Sequence, residues 1–188
     1  MKTLYKTKYL ELKSAPSPDG SFDWVYAHRP NTSCKYADAV IIAAFLHIHN
    51  EESIIFIETK RPAIYAEEKA ETCLELPAGL IGDVRNDEDI ISAAQTELIE
   101  ETGYKAEKIN LLMDNISASA GCLSETLAYV RADIYDIKQV SEPLSDNGVI
   151  VKHHIVPLKE LNNWILRQRD EGKSISSQAL ACLYLALK

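Results

Sequence analysis

The chain has 188 residues, 46% of them apolar, with a formal net charge of −8. That length and apolar share support one substantial core and leave no room for a second full domain. The acidic balance argues against a polymeric nucleic acid as partner, because such binders present basic surfaces to phosphate.

No apolar run approaches the 18 residues of a membrane-spanning helix. The N-terminus, MKTLYKTKYLELK, lacks the apolar stretch of a signal peptide. Cys34, Cys73, Cys122 and Cys182 are far apart and show no CxxC or Cys/His metal spacing, so they read as reduced thiols. A soluble cytoplasmic protein with no membrane partner is expected.

Residues 3–13 and 21–29 read as two β runs. They are separated by Ala15-Pro16-Ser17-Pro18-Asp19-Gly20, whose Pro and Asp-Gly chemistry marks a turn. An isolated hairpin is marginal, so this one is expected to join a larger sheet or pair with another subunit, using Tyr5, Tyr9, Phe22, Trp24 and Tyr26. After a polar interruption at 30–35 comes DAVIIAAFLHI, an almost unbroken apolar run from Asp38 that suggests a strand covered on both faces. Asn50-Glu51-Glu52 turns the chain back into SIIFIETK at 53–60, giving an antiparallel central pair. Arg61-Pro62 ends the second strand, because proline cannot donate to a ladder.

Residues 75–104, ELPAGLIGDVRNDEDIISAAQTELIEETGY, carry the densest signal. From Asn86 to Gly103 the pattern is helical, with Asn86 or Asp87 as N-cap and Gly103 as a left-handed stop. Pro77-Ala78-Gly79 and Gly82 form a tight connection into that helix. Glu88, near its start, complements the helix dipole and is assigned a structural role.

On the helix, Glu97, Glu100 and Glu101 fall within about 100° of arc, overlapping the stripe of Ile90, Ala94 and Leu98. They therefore face inward or along a cleft edge. A solvated acidic face carries Lys or Arg at i±3 or i±4, and Glu97 and Glu101 have none within the helix. Like charges at that spacing cost about 0.2 to 0.5 kcal/mol per pair, so the cluster asks for an external cation. Oxygen-only ligation points to Mg²⁺ or Mn²⁺.

Beyond the helix come a strand over 106–115, the loop SASAGCLSE, and the strand ETLAYVRADI with alternating pattern. A turn-rich loop at 141–148 precedes a strand over 149–156. His153 and His154 lie on successive faces of that strand and are both read as structural. Pro157 is expected to open a helix at its first position, and Ser174 to cap a last helix. Trp164 and residues 180–187 are assigned to the core. The order of elements fits a mixed sheet between helical layers, an α/β fold.

Gly82, Glu88, Glu97, Glu100, Glu101 and Gly103, with Leu98 and Tyr104 at the apolar positions, match the Nudix box, Gx5Ex7REUxEExGU, at all but one fixed position. Six fixed matches at about 7% usage each arise by chance about once in 10⁷ starts. The chain resembles the Nudix hydrolase family along nearly its whole length. Within that family it is similar to the ADP-ribose pyrophosphatases, through ELPAGLI, Lys60-Arg61-Pro62, the aromatic hairpin and SDNGVIVKHHIV. Two positions depart from the pattern: Thr96 replaces the family's Arg, and Ala120 the subgroup's Pro. A neutral Thr96 is expected to order the glutamates less well and lower turnover while keeping metal binding.

The resemblance implies a Nudix α/β/α sandwich with a mixed sheet over residues 34–188, and an N-terminal β-hairpin over 1–33 that pairs across a homodimer. It places Mg²⁺ or Mn²⁺ on Glu97, Glu101 and the Ala78 carbonyl, with Glu100 as an adjacent or water-mediated ligand. Ala78 and Gly79 form part of the substrate-binding loop. Arg29 and Arg61 become phosphate contacts, with ordinary surface ion pairs as the alternative. Tyr9 and Trp24 match positions that sandwich adenine, or else fill a dimer core. Related enzymes draw a general base from the loop before the late strand; here Asn147, Gly148 and Val149 stand there, leaving Glu142, Asp146 or Glu125. The implied reaction is hydrolysis of ADP-ribose to AMP and ribose 5-phosphate. Its alternatives are another nucleotide sugar or dinucleotide, or a catalytically weak domain that senses an ADP-ribose-like ligand.

Overall fold

The computed structural model describes residues 1–30, 36–82 and 88–188. The apolar run from Asp38 becomes β4 (Ala39–Ile48), and its alternation divides the interior in two. Val40, Ile42, Ala44 and Leu46 enter one buried cluster, whereas Ala39, Ala43 and Phe45 enter the other. Both faces are covered, which is why the sequence shows no polar alternation there.

β4 pairs in parallel with β9 (Thr126–Ile134), from Ala39 with Leu127 to Leu46 with Ile134. Its C-terminal end pairs antiparallel with β5 (Glu51–Thr59), and its N-terminal end with β7 (Ala78–Leu80). The β4–β5 turn is His49-Asn50, both with positive φ, a two-residue hairpin turn of the kind that matches strand twist. β5 also pairs with β6 (Cys73–Glu75) and β10 (Ile150–Pro157); β8 (Lys108–Ser117) flanks β9, and the two-residue β11 (Ser174–Ile175) flanks β6. Between β5 and β6 lies a single helical turn, α1 (Pro62–Tyr65).

One face of the sheet carries α2 (Ile90–Thr102), which buries Ala93, Ala94 and Leu98 against Val40, Ile42 and Val130. Leu98, fully buried, contributes roughly 2 kcal/mol of transfer free energy. The other face carries α3 (Leu161–Asp170) and α4 (Ser177–Ala186), whose Leu161, Ala179, Cys182 and Leu183 pack with Phe45, Ile54 and Phe56. Trp164 lies 5.1 Å from Phe56, centroid to centroid. The expected mixed sheet between helical layers is present.

The N-terminal segment differs from expectation. It has three strands, β1 (Lys2–Lys6), β2 (Glu11–Pro16) and β3 (Asp23–His28), in one antiparallel sheet. The first run is split because Thr7 closes a turn onto Leu10: its amide and its hydroxyl both donate to the Leu10 carbonyl. β3 ties this sheet to the rest of the chain through a bridge between Ala27 and Leu123. The segment boundary expected at 33, the N-cap candidates Asn86 and Asp87, and Cys34 all lie outside the described residues.

Three helix ends are also corrected. Asp89 caps α2, accepting from the amides of Ile91 and Ser92 at 2.9 Å each. Pro157 closes β10 and leads into a 3₁₀ turn at Leu158–Glu160, so α3 begins only at Leu161. Ser176, not Ser174, caps α4, because Ser174 and Ile175 pair with Cys73 and Leu74. Leu180 and Tyr184 of α4, and Leu187 just after it, are exposed rather than core. Cys73, Cys122 and Cys182 are free thiols. No helix among the described residues is long and apolar enough to cross a membrane.

Candidate functional site

The glutamates of α2 project at one end of the sheet, where β7 replaces β5 along the edge of β4. There Glu97, Glu100 and Glu101 line a cleft of about 640 Å³. Facing them are Ala78 and Gly79 of β7, Arg61 and Glu75 at the ends of neighbouring segments, and Arg29 and Glu125 near the N-terminal sheet. Nine of the residues singled out from sequence as site candidates therefore meet: Arg29, Arg61, Ala78, Gly79, Glu97, Glu100, Glu101, Glu125 and Asp146.

Glu101 is buried, and its carboxylate accepts from the Ala78 amide at 2.9 Å. Burial pushes its carboxyl up to about 7; the Ala78 bond and the charge of Arg61 oppose the shift, and Glu75 and Asp146 reinforce it. A buried carboxyl in this state is a group whose ionised form a bound cation would restore. Glu97 lies directly over Gly79: a Cβ on that glycine would meet Glu97 Cδ at 1.9 Å. A side chain on residue 79 would therefore displace the Glu97 carboxylate, so glycine there leaves the carboxylate its place.

Both cleft arginines are paired. Arg61 donates from Nε at 3.0 Å and from Nη2 at 2.7 Å to one oxygen of Glu75. Burial works against its charge, yet Glu75 raises its pKa further above the ordinary value. Arg29 donates from Nε to Glu125. Glu75 had no role in the sequence reading, and no local signal marks it, since its partner Arg61 stands 14 residues away, just past the neighbouring strand β5. Ser176 and Gln178 at the start of α4 also line the cleft without having been anticipated.

Other candidates stand elsewhere. Tyr9 and Trp24 are exposed and do not line the cleft; the Trp24 indole donates to the Gly121 carbonyl at 2.8 Å. Glu142 is exposed and likewise outside the lining. The Thr96 hydroxyl donates to the Ser92 carbonyl at 3.1 Å and lines a separate groove with Ile91, Ile99 and Ile109. It does not reach the carboxylates.

Asp146 arrives on a strap, residues 136–149, that wraps the end of α2. Three consecutive residues, Asp146, Asn147 and Gly148, have positive φ, a conformation that Asp, Asn and Gly adopt most readily. The strap bonds the last carbonyls of the helix: the Leu144 amide donates to Glu100 at 2.7 Å, Gln139 Nε2 to Thr102 at 2.8 Å, and the Val140 amide to Gly103 at 2.8 Å. The remaining carbonyl, that of Glu101, accepts from His153 Nε2 at 2.6 Å. His153 thus reaches the helix that carries the acidic cluster, which its place in a strand did not reveal.

Among the described residues, no group of three or more His, Cys, Asp or Glu side chains converges closely enough to hold a metal ion. In kind, the ligand side chains lining the cleft are carboxylates, with no thiol among them, which suits a hard divalent cation rather than a thiophilic one.

No family model matches the chain, and no curated protein is significantly similar to it. Solved structures are similar in fold. An ADP compounds hydrolase superposes over 98% of this chain and 88% of its own, at 21% identity and a TM-score of 0.63. The Nudix domain of Shewanella oneidensis NrtR, solved with ADP-ribose, covers 79% of this chain and 84% of its own, at 15% identity and a TM-score of 0.53. At such identities the likeness is one of fold, and the fold is Nudix-like.

Proposed function

We propose that this chain is a Mg²⁺- or Mn²⁺-dependent pyrophosphatase that splits the phosphoanhydride of a nucleoside diphosphate sugar, taking ADP-ribose to AMP and ribose 5-phosphate. The observation that carries the reading is the meeting of Glu97, Glu100, Glu101, Arg29 and Arg61 around one cleft. A structural neighbour solved with ADP-ribose supports the choice of ligand.

Glu97, Glu100, Glu101 and the Ala78 carbonyl are the groups that would hold the cation, drawing closer together on its binding than they stand here. When bound, such an ion neutralises phosphate charge and lowers the pKa of water. Arg61 and Arg29 bind phosphate oxygens by exchanging Glu75 and Glu125 for the substrate, since a guanidinium can present two N–H groups to a phosphate. Asp146, on the strap, and Glu125 are the carboxylates in the lining positioned to take a proton from an attacking water, whereas Glu142 stands outside it. Tyr9 and Trp24 serve the adenine only if the N-terminal sheet is shared with a second copy.

A homodimer is part of the same proposal. The N-terminal sheet exposes Leu4, Tyr5, Leu12 and Val25 at between 39% and 66% of their surface, an apolar area that a second copy would cover.

The test is incubation with Mg²⁺ and a panel of nucleotide sugars and dinucleotides, measuring phosphate made accessible to a phosphatase. Turnover of ADP-ribose that disappears in Glu101→Gln is the expected result. Binding of ADP-ribose without turnover of any panel member would move the chain to the sensing reading. The two pre-formed arginine–glutamate pairs and the distant Thr96 hydroxyl are the observations that keep that reading in view.

A further inference from the structure

We propose that His153 is a positioning residue for the acidic cleft. Through the carbonyl of Glu101 it fixes the last turn of α2 at the depth where the Glu101 carboxylate meets the Ala78 amide. This rests on the pyrophosphatase reading for its consequence, but not for its geometry.

Glu101 is held at both ends. Its carboxylate accepts from Ala78 of β7 at 2.9 Å, and its carbonyl accepts from His153 of β10 at 2.6 Å. A carbonyl only accepts, so His153 Nε2 carries the proton in this bond. His153 pairs in register with Ile57 of β5, and its neighbour His154 turns to the opposite face, where it bonds Glu58 at 2.8 Å and lies against Trp164. The alternation of one strand therefore sends one imidazole to each helical layer.

The other carbonyls at the end of α2 take donors from the strap, two of them main-chain amides and one the side chain of Gln139. Backbone donors move with their loop. His153 differs because it projects from a strand paired over seven positions with the sheet interior, so it references the helix end to the sheet itself. β7, which bears Ala78, belongs to that same sheet. The Glu101 carboxylate and the Ala78 amide are thereby brought together by one rigid frame, with His153 as the link on the helix side.

Two variants test this. His153→Leu removes the donor and keeps an apolar side chain; His153→Gln keeps an N–H at comparable reach. The first readout is amide hydrogen exchange by NMR, comparing Ala78 with Ile42, whose amide bonds the Pro77 carbonyl at 2.9 Å. In His153→Leu, exchange at Ala78 should rise about tenfold or more while Ile42 is unchanged. The second readout is binding of Mn²⁺ alone, followed by electron paramagnetic resonance, which should weaken about tenfold in His153→Leu. His153→Gln should restore both.

Unchanged exchange at Ala78 in a folded His153→Leu overturns the proposal. So does a joint rise at Ala78 and Ile42, which marks general loosening, or a failure of His153→Gln to restore protection. Should the unmodified protein bind no Mn²⁺ while Ala78 exchange responds as expected, the positioning role stands and the metal-dependent reading falls.

Discussion

Gly79 lies beneath the carboxylate of Glu97, so closely that a β-carbon on the glycine would stand 1.9 Å from Glu97 Cδ. The glycine's φ is not in the left-handed region, so its backbone accepts alanine and only the glutamate must give way. Gly79→Ala is therefore expected to cost little stability, within about 1 kcal/mol. It should weaken Mn²⁺ binding and turnover about tenfold or more by displacing the carboxylate. Thermal denaturation beside a Mn²⁺ titration checks both halves.

The cleft arginines give a second expectation. On the proposed reading, Arg61→Ala removes a phosphate partner and leaves Glu75 facing the substrate. The KM for ADP-ribose should rise about tenfold, close to 1.4 kcal/mol, with kcat changed much less. Glu75→Gln frees the guanidinium and should not raise KM. Steady-state kinetics on the two variants measures the difference, and equal losses in both would assign the pair to scaffolding.

A third expectation concerns acid stability, away from the cleft. Burial works against the charge of Glu58, yet bonds from Thr72, His154 and Lys173 hold its carboxyl down to about 2. Burial also lowers the pKa of His154, against the pull of Glu58. Both folded values lie below the ordinary ones, so both groups contribute stability that is present at neutral pH and lost on acidification. The His154 share declines as pH falls below its ordinary value of 6.5, and the Glu58 share as pH falls from 4.5 towards 2. Glu58→Gln should lower stability at pH 7 by up to roughly 3 kcal/mol and flatten its decline below pH 4.5. Denaturant titrations at several pH values would show this.

How far the sequence could foretell these arrangements depends on the range of the interaction. α2 was legible because its apolar period, its glutamate spacing and the stop at Gly103 are all local. β4 and β5 were legible because unbroken apolar runs have few other uses. The split between β1 and β2 was not, since the turn is made by a threonine hydroxyl with no glycine or proline nearby. Ser174 could not be told from Ser176 as a helix cap, because β11 exists only through its pairing with Cys73 and Leu74. In the cleft, the carboxylates on one helix were readable together. Glu75 and Ser176, which line the same cleft, and His153, which bonds the Glu101 carbonyl, come from distant segments and carry no spacing to read.

The N-terminal sheet yields the last expectation. Tyr5 and Leu12 stand opposite one another across β1 and β2, and both are exposed. Light scattering on the purified protein should give twice the chain mass. A Tyr5→Lys, Leu12→Lys double variant should give the single mass, because a charge opposite a charge does not bury. A monomer from the unmodified chain would remove the dimer from the proposal, and with it any role for Tyr9 and Trp24 in a shared adenine site.

The parallel pairing of β4 with β9 bears on how the chain comes to be folded. β4 and β5 can form their hairpin early, through two adjacent left-handed residues, but Ala39 waits for Leu127 before its other edge is closed. Until then the face that receives α2 is incomplete, and Val40 and Ile42 are left without Ala128 and Val130 beside them. Such distant pairing makes for slow folding, with an apolar edge open to other chains in the meantime. During synthesis on the ribosome the central strand is made early and seated late, so crowding and temperature should act on the yield of this protein more than on its finished stability.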